Sequence, residues 1–465
     1  MSENEFGLKR SLGLPSLIAV EIGTTIGAGI FVLVGMGIKL TGPSVPIAFI
    51  VAAVPIVLIM LSLAMVGSAI PCAGGTYRYA SRLFSPGWSF FGIWGFALGT
   101  IVGAFPLYSI TAAKYFLAAF PNYHPAPLTI KIAGAIILTL FYLANLRDLR
   151  LAGYVQILMV AVLIAALIYF GAAGIGKVQP ENLTPLFPKG ALGLLGAGAI
   201  LTFSLLGSNS VIELGAEIKN PGRNIPLSLL ISISSVVILY ILIAIVAVGV
   251  LPWQQSAGKL LNEQAAIILG PIGFRFFILG GAFLAITTTI NGTFMWATKS
   301  ILVVANDRLL PPWLAKVHPR HHTPHRFLTI VWLLATASLF MEVPYGTFEV
   351  FSSIGSLIIF VPVMIAVLRF RKLLPEAYQR APFRLKGILY YLCPGAGLVL
   401  AVMAMVMCLS QLTIAWMIFF LGWLLVGAML YFLIRRHNKK QGLDHLNQNI
   451  KQDLQAWSGS ECDRA

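Results

Sequence analysis

With 465 residues, 58% of them hydrophobic and 10% charged, and a mean hydropathy of +0.87, the chain is too apolar for a soluble domain of its length. Its formal charge of +16 does not call for a nucleic-acid partner, because the basic residues are scattered through short loops rather than pooled on one soluble face. Cys72, Cys393, Cys408 and Cys462 lack paired or metal-type spacing, so no disulfide framework is implied.

A membrane-spanning helix needs about 20 apolar residues. Twelve stretches approach that length: 14–39, 44–69, 88–119, 127–145, 151–173, 193–215, 226–250, 271–299, 326–341, 347–369, 387–409 and 412–434. Lys9-Arg10 precede the first, which is too long for a signal peptide and lacks its cleavage site, so it reads as a retained helix. The ninth is the shortest and stops near Glu342. The prediction is an all-α integral membrane protein: an N-terminal segment 1–13, a transmembrane domain 14–434 and a tail 435–465 whose polarity suggests disorder or loose helix. If both termini share one side, that side collects most of the Lys and Arg, including Arg78, Arg82, Arg147 and Lys219. The positive-inside rule then predicts a cytoplasmic membrane protein with both termini in the cytoplasm, its charge attracting anionic lipid heads. Between spans seven and eight, apolar positions Leu260, Leu261, Ala265 and Ile268 predict a short amphipathic helix over the outer mouth. His318, His321, His322 and His325 have no carboxylate or thiol nearby, and no metal is expected there. Asn182-Leu183-Thr184 is a glycosylation acceptor only in a secretory-pathway host.

Two spans are interrupted at their middles, the first at Gly27-Ala28-Gly29 and the sixth around Gly207-Ser208-Asn209. Hydrocarbon offers no hydrogen bonds to freed backbone groups, so such a break persists only where protein buries it or a cavity solvates it. Gly23 and Gly27, four apart, also suit close helix packing. The functional reading is that Gly27 to Gly29 unwind and present amides, at the positive start of a half-helix, to a carboxylate. Carbonyls exposed at the partner break Phe203-Ser204-Leu205-Leu206-Gly207-Ser208-Asn209 would accept from an ammonium, and the two breaks together would read an amino acid zwitterion. The expected substrate set is Thr24, Thr25, Gly27, Ala28, Gly29, Ile30, Phe203, Ser204, Leu205 and Ser208.

The chain resembles the amino acid–polyamine–organocation superfamily of secondary transporters over nearly its whole length. The resemblance is carried by Gly23-Thr24-Thr25-Ile26-Gly27-Ala28-Gly29-Ile30-Phe31, Pro71-Cys72-Ala73-Gly74-Gly75-Thr76-Tyr77-Arg78-Tyr79, Asn145-Leu146-Arg147, Glu217-Ile218-Lys219-Asn220-Pro221-Gly222-Arg223, Asn306-Asp307-Arg308-Leu309-Leu310-Pro311 and Ser353-Ile354-Gly355-Ser356-Leu357, in that order. It implies a five-plus-five inverted repeat with two added helices, alternating access, and substrate held between spans one and six. Proton-coupled symport or exchange is the implied activity, with a polyamine or cationic amino acid exchanger as the alternative. From another class, a membrane sensor or enzyme would need a nucleophile or metal set, and the spans contain no His.

Departures from the family pattern shift the expectations. Ser208 stands where an aromatic gate is common, which predicts that it faces the substrate and leaves the pocket wide. Leu163 stands where many relatives have a Lys. The usual acidic positions fall at Met65 and Asn209, so the expected substrate is a neutral amino acid or a broad range, with no cofactor. Glu21 occupies a position that is typically small or apolar; ionising it unpaired in a membrane costs several kcal/mol, which makes it a candidate proton carrier, with Glu213 as a second. Thr287, Thr288 and Thr289 supply hydroxyls suited to a sodium ion, although such hydroxyls more often bond back to their own helix.

Overall fold

The computed structural model describes residues 8, 10–118, 125–147, 149–318, 323–442 and 444–459. They form helices and turns, and the described residues contain no β-strand beyond the isolated bridges Leu12–Ile218 and Ala73–Leu214. Long apolar runs fold this way because a helix satisfies its backbone internally, which hydrocarbon requires.

In chain order the helices are α1 (Leu14–Thr25), α2 (Ala28–Thr41), α3 (Val45–Ala69), α4 (Gly75–Leu83), α5 (Pro86–Leu98), α6 (Phe105–Ala118), α7 (Pro127–Arg147), α8 (Leu149–Ile175), α9 (Gly190–Thr202), α10 (Ser210–Glu213) and α11 (Pro221–Gly249). They continue with α12 (Trp253–Ser256), α13 (Leu261–Ile268), α14 (Pro271–Phe276), α15 (Leu284–Asn306), α16 (His325–Phe340), α17 (Tyr345–Ile358), α18 (Phe360–Leu373), α19 (Pro375–Arg380), α20 (Leu389–Leu409), α21 (Ile414–Lys440) and α22 (His445–Ser458).

Among the described residues, nine helical stretches are long and apolar enough to cross a membrane, and α1, α9 and α16 are shorter apolar helices. The difference from the expected twelve has local causes. Breaks shorten α1 and α9, and Gly29–Ala69 runs on through a tight turn at Gly42–Ser44, so that two predicted spans form one stretch. The most enclosed span is Gly346–Leu373, 83% of its apolar window buried, against 22% for α20 and for α21, whose Leu392, Met403, Ile418 and Leu425 point outward as a lipid-facing surface would. The expected amphipathic helix forms as α12 and α13, bent at Gly258 (φ 77°); its Leu261, Ala265 and Ile268 are buried, and the Gly258 amide donates to the Gly35 carbonyl of α2 at 2.8 Å.

Polar contacts join both chain ends on one face of the bundle. Ser11 and Leu12 amides donate to the Glu217 carbonyl, and Lys299 Nζ lies 2.9 and 3.0 Å from the two Glu217 carboxylate oxygens. Arg82, almost wholly buried, makes a two-pronged contact with Asp307 at 2.6 and 2.8 Å. Here the tail departs from the sequence expectation: residues 445–458 are a docked helix, not a loose segment. Leu446, Asp453 and Trp457 are buried, a helical spacing that places them on one stripe. Asp453 bonds Arg78 and Arg82, and the Trp457 ring meets Tyr79 edge-on at 6.2 Å. Composition does not reveal the docking because the partners lie far away in sequence. His321 and His322 of the histidine cluster lie outside the described residues; the His318 and His325 rings are 5.3 Å apart, and no cluster of three His, Cys, Asp or Glu side chains placed to hold a metal occurs among the described residues.

Candidate substrate site

The first break is sharp. Helix α1 ends at Thr25, Ile26 leaves helical geometry (φ −79°, ψ 81°), Gly27 is extended, and α2 starts at Ala28. The first amides of a helix have no intrahelical acceptor, and no side chain caps α2. The Gly27 amide is already bonded to the Thr25 carbonyl, which leaves Ala28, Gly29 and Ile30 as the open donors.

The second break is wider. After α9 come one tight turn, Phe203–Leu205, then Gly207 at φ 128°, a conformation that favours glycine, before α10 resumes. A Cβ on Gly207 would lie 2.5 Å from the Thr24 carbonyl oxygen, so close approach demands glycine as well. The two breaks face one another. The Thr24 hydroxyl lies 3.0 Å from the Gly207 carbonyl, a Cβ on Gly29 would sit 3.1 Å from Ser204, and the Tyr240 hydroxyl of α11 lies within donating distance of both the Ser204 and Thr25 carbonyls.

A cavity of about 120 Å³ opens at this meeting point. Thr24, Thr25, Gly27, Gly29 and Ser204 of the expected set line it, joined by Leu206, Gly207 and Asn209. Ala28 and Phe203 belong to the broken backbone itself. Ile30 and Leu205 are buried away from the cavity, and so is Ser208, whose hydroxyl pairs with that of Thr25 at 3.0 Å. The turn at Gly207 aims Ser208 inward to the protein, so the open space beside it comes from Gly207, not from a small side chain at 208.

Apart from Ser356, which falls in the motif Ser353-Ile354-Gly355-Ser356-Leu357, the far wall was not singled out in the sequence. Thr100 and Tyr108 come from the third span, Thr293 and Trp296 from α15, and Glu349, Ser352 and Ser356 from α17. A signal was present: the last three recur at spacings of three and four in an apolar helix, a polar stripe on one face. The wall is held by glycine contacts, with a Cβ on Gly99 falling 2.6 Å from the Cα of Gly355.

Apart from Thr289, which lines the cavity, the coupling candidates sit outside it. Glu21 is fully buried and accepts from Ser232 at 2.6 Å and Ser228 at 3.1 Å, with no cationic partner among the described residues. Glu213 accepts from Ser300 at 2.6 Å and from the Thr76 amide and hydroxyl. Thr287 bonds back to its own helix, and Thr288 and Thr289 lie within donating distance of both the Ala285 carbonyl of that helix, at 2.8 and 3.0 Å, and the Gly23 carbonyl, at 3.1 and 3.0 Å. A chain of amides runs from Asn145 through Asn291 to Gln156, which donates to the Thr288 carbonyl at 3.1 Å; Leu163, later on the same helix as Gln156, is buried.

The family described as "Amino acid permease" matches residues 12–436. This chain belongs to that family. It is therefore a membrane transporter by descent, not an enzyme. Similar permeases include the branched-chain amino acid permease BcaP of Bacillus subtilis (strain 168), 30% identical with 94% of this chain and 96% of the relative covered. The methylthioribose transporter of the same strain is 28% identical, over 92% and 94%. A vacuolar cationic amino acid transporter 4 of Arabidopsis thaliana is 28% identical, over 79% of this chain and 64% of that one. The matched span takes in both breaks and the whole cavity wall.

Proposed function

We propose that the protein is a secondary active transporter of α-amino acids, working by alternating access in the cytoplasmic membrane with both termini in the cytoplasm, on a twelve-span, five-plus-five inverted-repeat scaffold. The observation that carries this is the pair of broken helices held face to face around one cavity, with the open amides of α2 on one side and the unwound backbone from Ser204 to Gly207, with its carbonyls as acceptors, on the other. A carboxylate suits the first and an ammonium the second. The size agrees. At roughly 10–15 Å³ per water-sized position, the cavity takes about ten heavy atoms, an amino acid rather than a peptide. Its mixed wall, with Leu33, Phe96 and Trp296 beside hydroxyls, suits a broad range of side chains. Relatives named for branched-chain and for cationic amino acids are consistent with that range.

Coupling falls to the proton in this reading. Glu21 holds a buried carboxyl between two hydroxyls, whereas the Thr288 and Thr289 hydroxyls already have protein acceptors in the Ala285 carbonyl of their own helix and the Gly23 carbonyl. The direct test is uptake of labelled amino acids into proteoliposomes under an imposed pH or sodium gradient. Accumulation with the pH gradient alone is the expected result; no uptake of any amino acid sinks the proposal, and dependence on sodium sinks the coupling.

A further inference from the structure

We propose that Glu349 is the side-chain selector of this transporter, and that it favours substrates whose side chain ends in an ammonium or guanidinium. The inference rests on the amino acid reading above and adds the chemistry of the far end of the substrate.

The starting point is a mismatch in charge. Each of the other carboxylates that the folded bundle encloses has donors: Glu21 the hydroxyls of Ser228 and Ser232, Glu213 those of Thr76 and Ser300, Glu217 the Lys299 ammonium, Asp307 Arg82 and Tyr77, and Asp453 both Arg78 and Arg82. Glu349 is half-buried, and its carboxylate receives no hydrogen bond or ion pair among the described residues. It is also the acidic residue that lines the cavity, and the lining includes no Lys, Arg or His. A carboxylate inside a membrane domain is costly and is kept where something pairs with it. Protein supplies no partner here, so the occupant of the cavity does.

Placement supports this role. Glu349, Ser352 and Ser356 lie on one face of α17, and the eight residues from Glu349 to Ser356 span about 10 Å of helix rise. The helix is locked against the third span: a Cβ on Gly103 would fall 2.5 Å from the Ser352 amide nitrogen, and one on Gly99 2.6 Å from the Gly355 Cα. Backbone packed this closely fixes the direction in which the stripe faces. Glu349 thus stands at one end of the cavity and the hydroxyls of Ser352 and Ser356 follow along it. An aliphatic stem crossing the cavity with a cation at its tip would reach a carboxylate, while a neutral stem of equal length would leave that carboxylate unpaired and desolvated.

The test compares lysine, arginine and norleucine, which is lysine without its ammonium, for binding to the purified full-length protein, wild type and Glu349→Gln, with leucine as a neutral control. A charge-assisted contact in a protein pocket makes lysine tenfold or more tighter than norleucine in the wild type. Glu349→Gln is expected to remove that preference, by weakening lysine and relieving the penalty on norleucine, and Glu349→Asp to retain it in part. Equal wild-type affinity for lysine and norleucine overturns the assignment without need of any variant. An equal loss for both ligands in Glu349→Gln overturns it too, since that marks a structural residue. If norleucine and leucine bind and lysine does not, the selector fails and the amino acid reading stands; if none of the four binds, the amino acid reading itself has failed.

Discussion

The Tyr240 hydroxyl lies 3.2 Å from the Ser204 carbonyl and 3.4 Å from that of Thr25, so one phenol on an unbroken helix bridges the two broken ones. Tyr240 is fully buried and packs edge-on against Phe49 at 5.3 Å, which holds the hydroxyl in place. Replacing it with Phe keeps the packing and removes the bridge. Tyr240→Phe should cost about 1 kcal/mol of stability and lower the rate of substrate uptake, as measured by thermal unfolding and proteoliposome transport; unchanged uptake would mean that the breaks keep their geometry without it.

Gly207 combines a positive φ with a backbone neighbour where a Cβ would stand. Gly207→Ala forces either a strained residue, at roughly 1–3 kcal/mol, or a separation of the two breaks. Loss of substrate binding with the protein still folded is the expected outcome, read by ligand-dependent thermal shift. Gly29→Val, crowding Ser204, should likewise weaken binding through the carboxylate cradle.

Ser208 is enclosed and bonded to Thr25, so enlargement there does not trim a substrate pocket. Ser208→Phe is expected to overpack the crossing of the two helices, with a cost of roughly 1–3 kcal/mol or more, and to reduce yield of folded protein. Fluorescence size-exclusion profiles would show it. A well-folded variant with a narrowed substrate range would instead put position 208 in the cavity.

Glu21→Gln preserves shape and the two serine contacts while removing the titratable proton. Uptake driven by a pH gradient should fall to the level seen without one, and substrate affinity should stay within about twofold, because Glu21 does not line the cavity. Proton-driven accumulation surviving in this variant would move the role to Glu213.

Asp453 sits in the docked tail helix, where burial pushes its carboxyl up but Arg78 and Arg82 outweigh burial and hold it below the usual aspartate range. A depressed folded value means that its stabilisation is present above the unfolded value of about 3.9 and is lost as pH falls through the folded one. Tail docking should therefore be unchanged from about pH 8 to about pH 5. Asp453→Asn should loosen it at any of these pH values by roughly 1–3 kcal/mol. Hydrogen exchange across residues 445–458 measures both effects.

The sequence alone determined the membrane-embedded helical class, because hydropathy at the scale of a bilayer is a local property that needs no knowledge of neighbours. It also determined where the first and sixth spans break, since glycine clusters in the middle of apolar runs are themselves the physical cause of unwinding. Thr24, Thr25, Gly27, Gly29 and Ser204 were legible as cavity residues for that reason. What only the tertiary structure decided is direction and partnership. A single turn at Gly207 sends Ser208 into the protein, which no spacing rule anticipates. Glu349 became distinctive only once every other enclosed carboxylate had been matched to its donor, and the tail became a docked helix only once Asp453 met arginines more than 370 residues earlier in the chain. Pairings of that kind depend on which surfaces the fold brings together, and a linear pattern of polarity does not encode them.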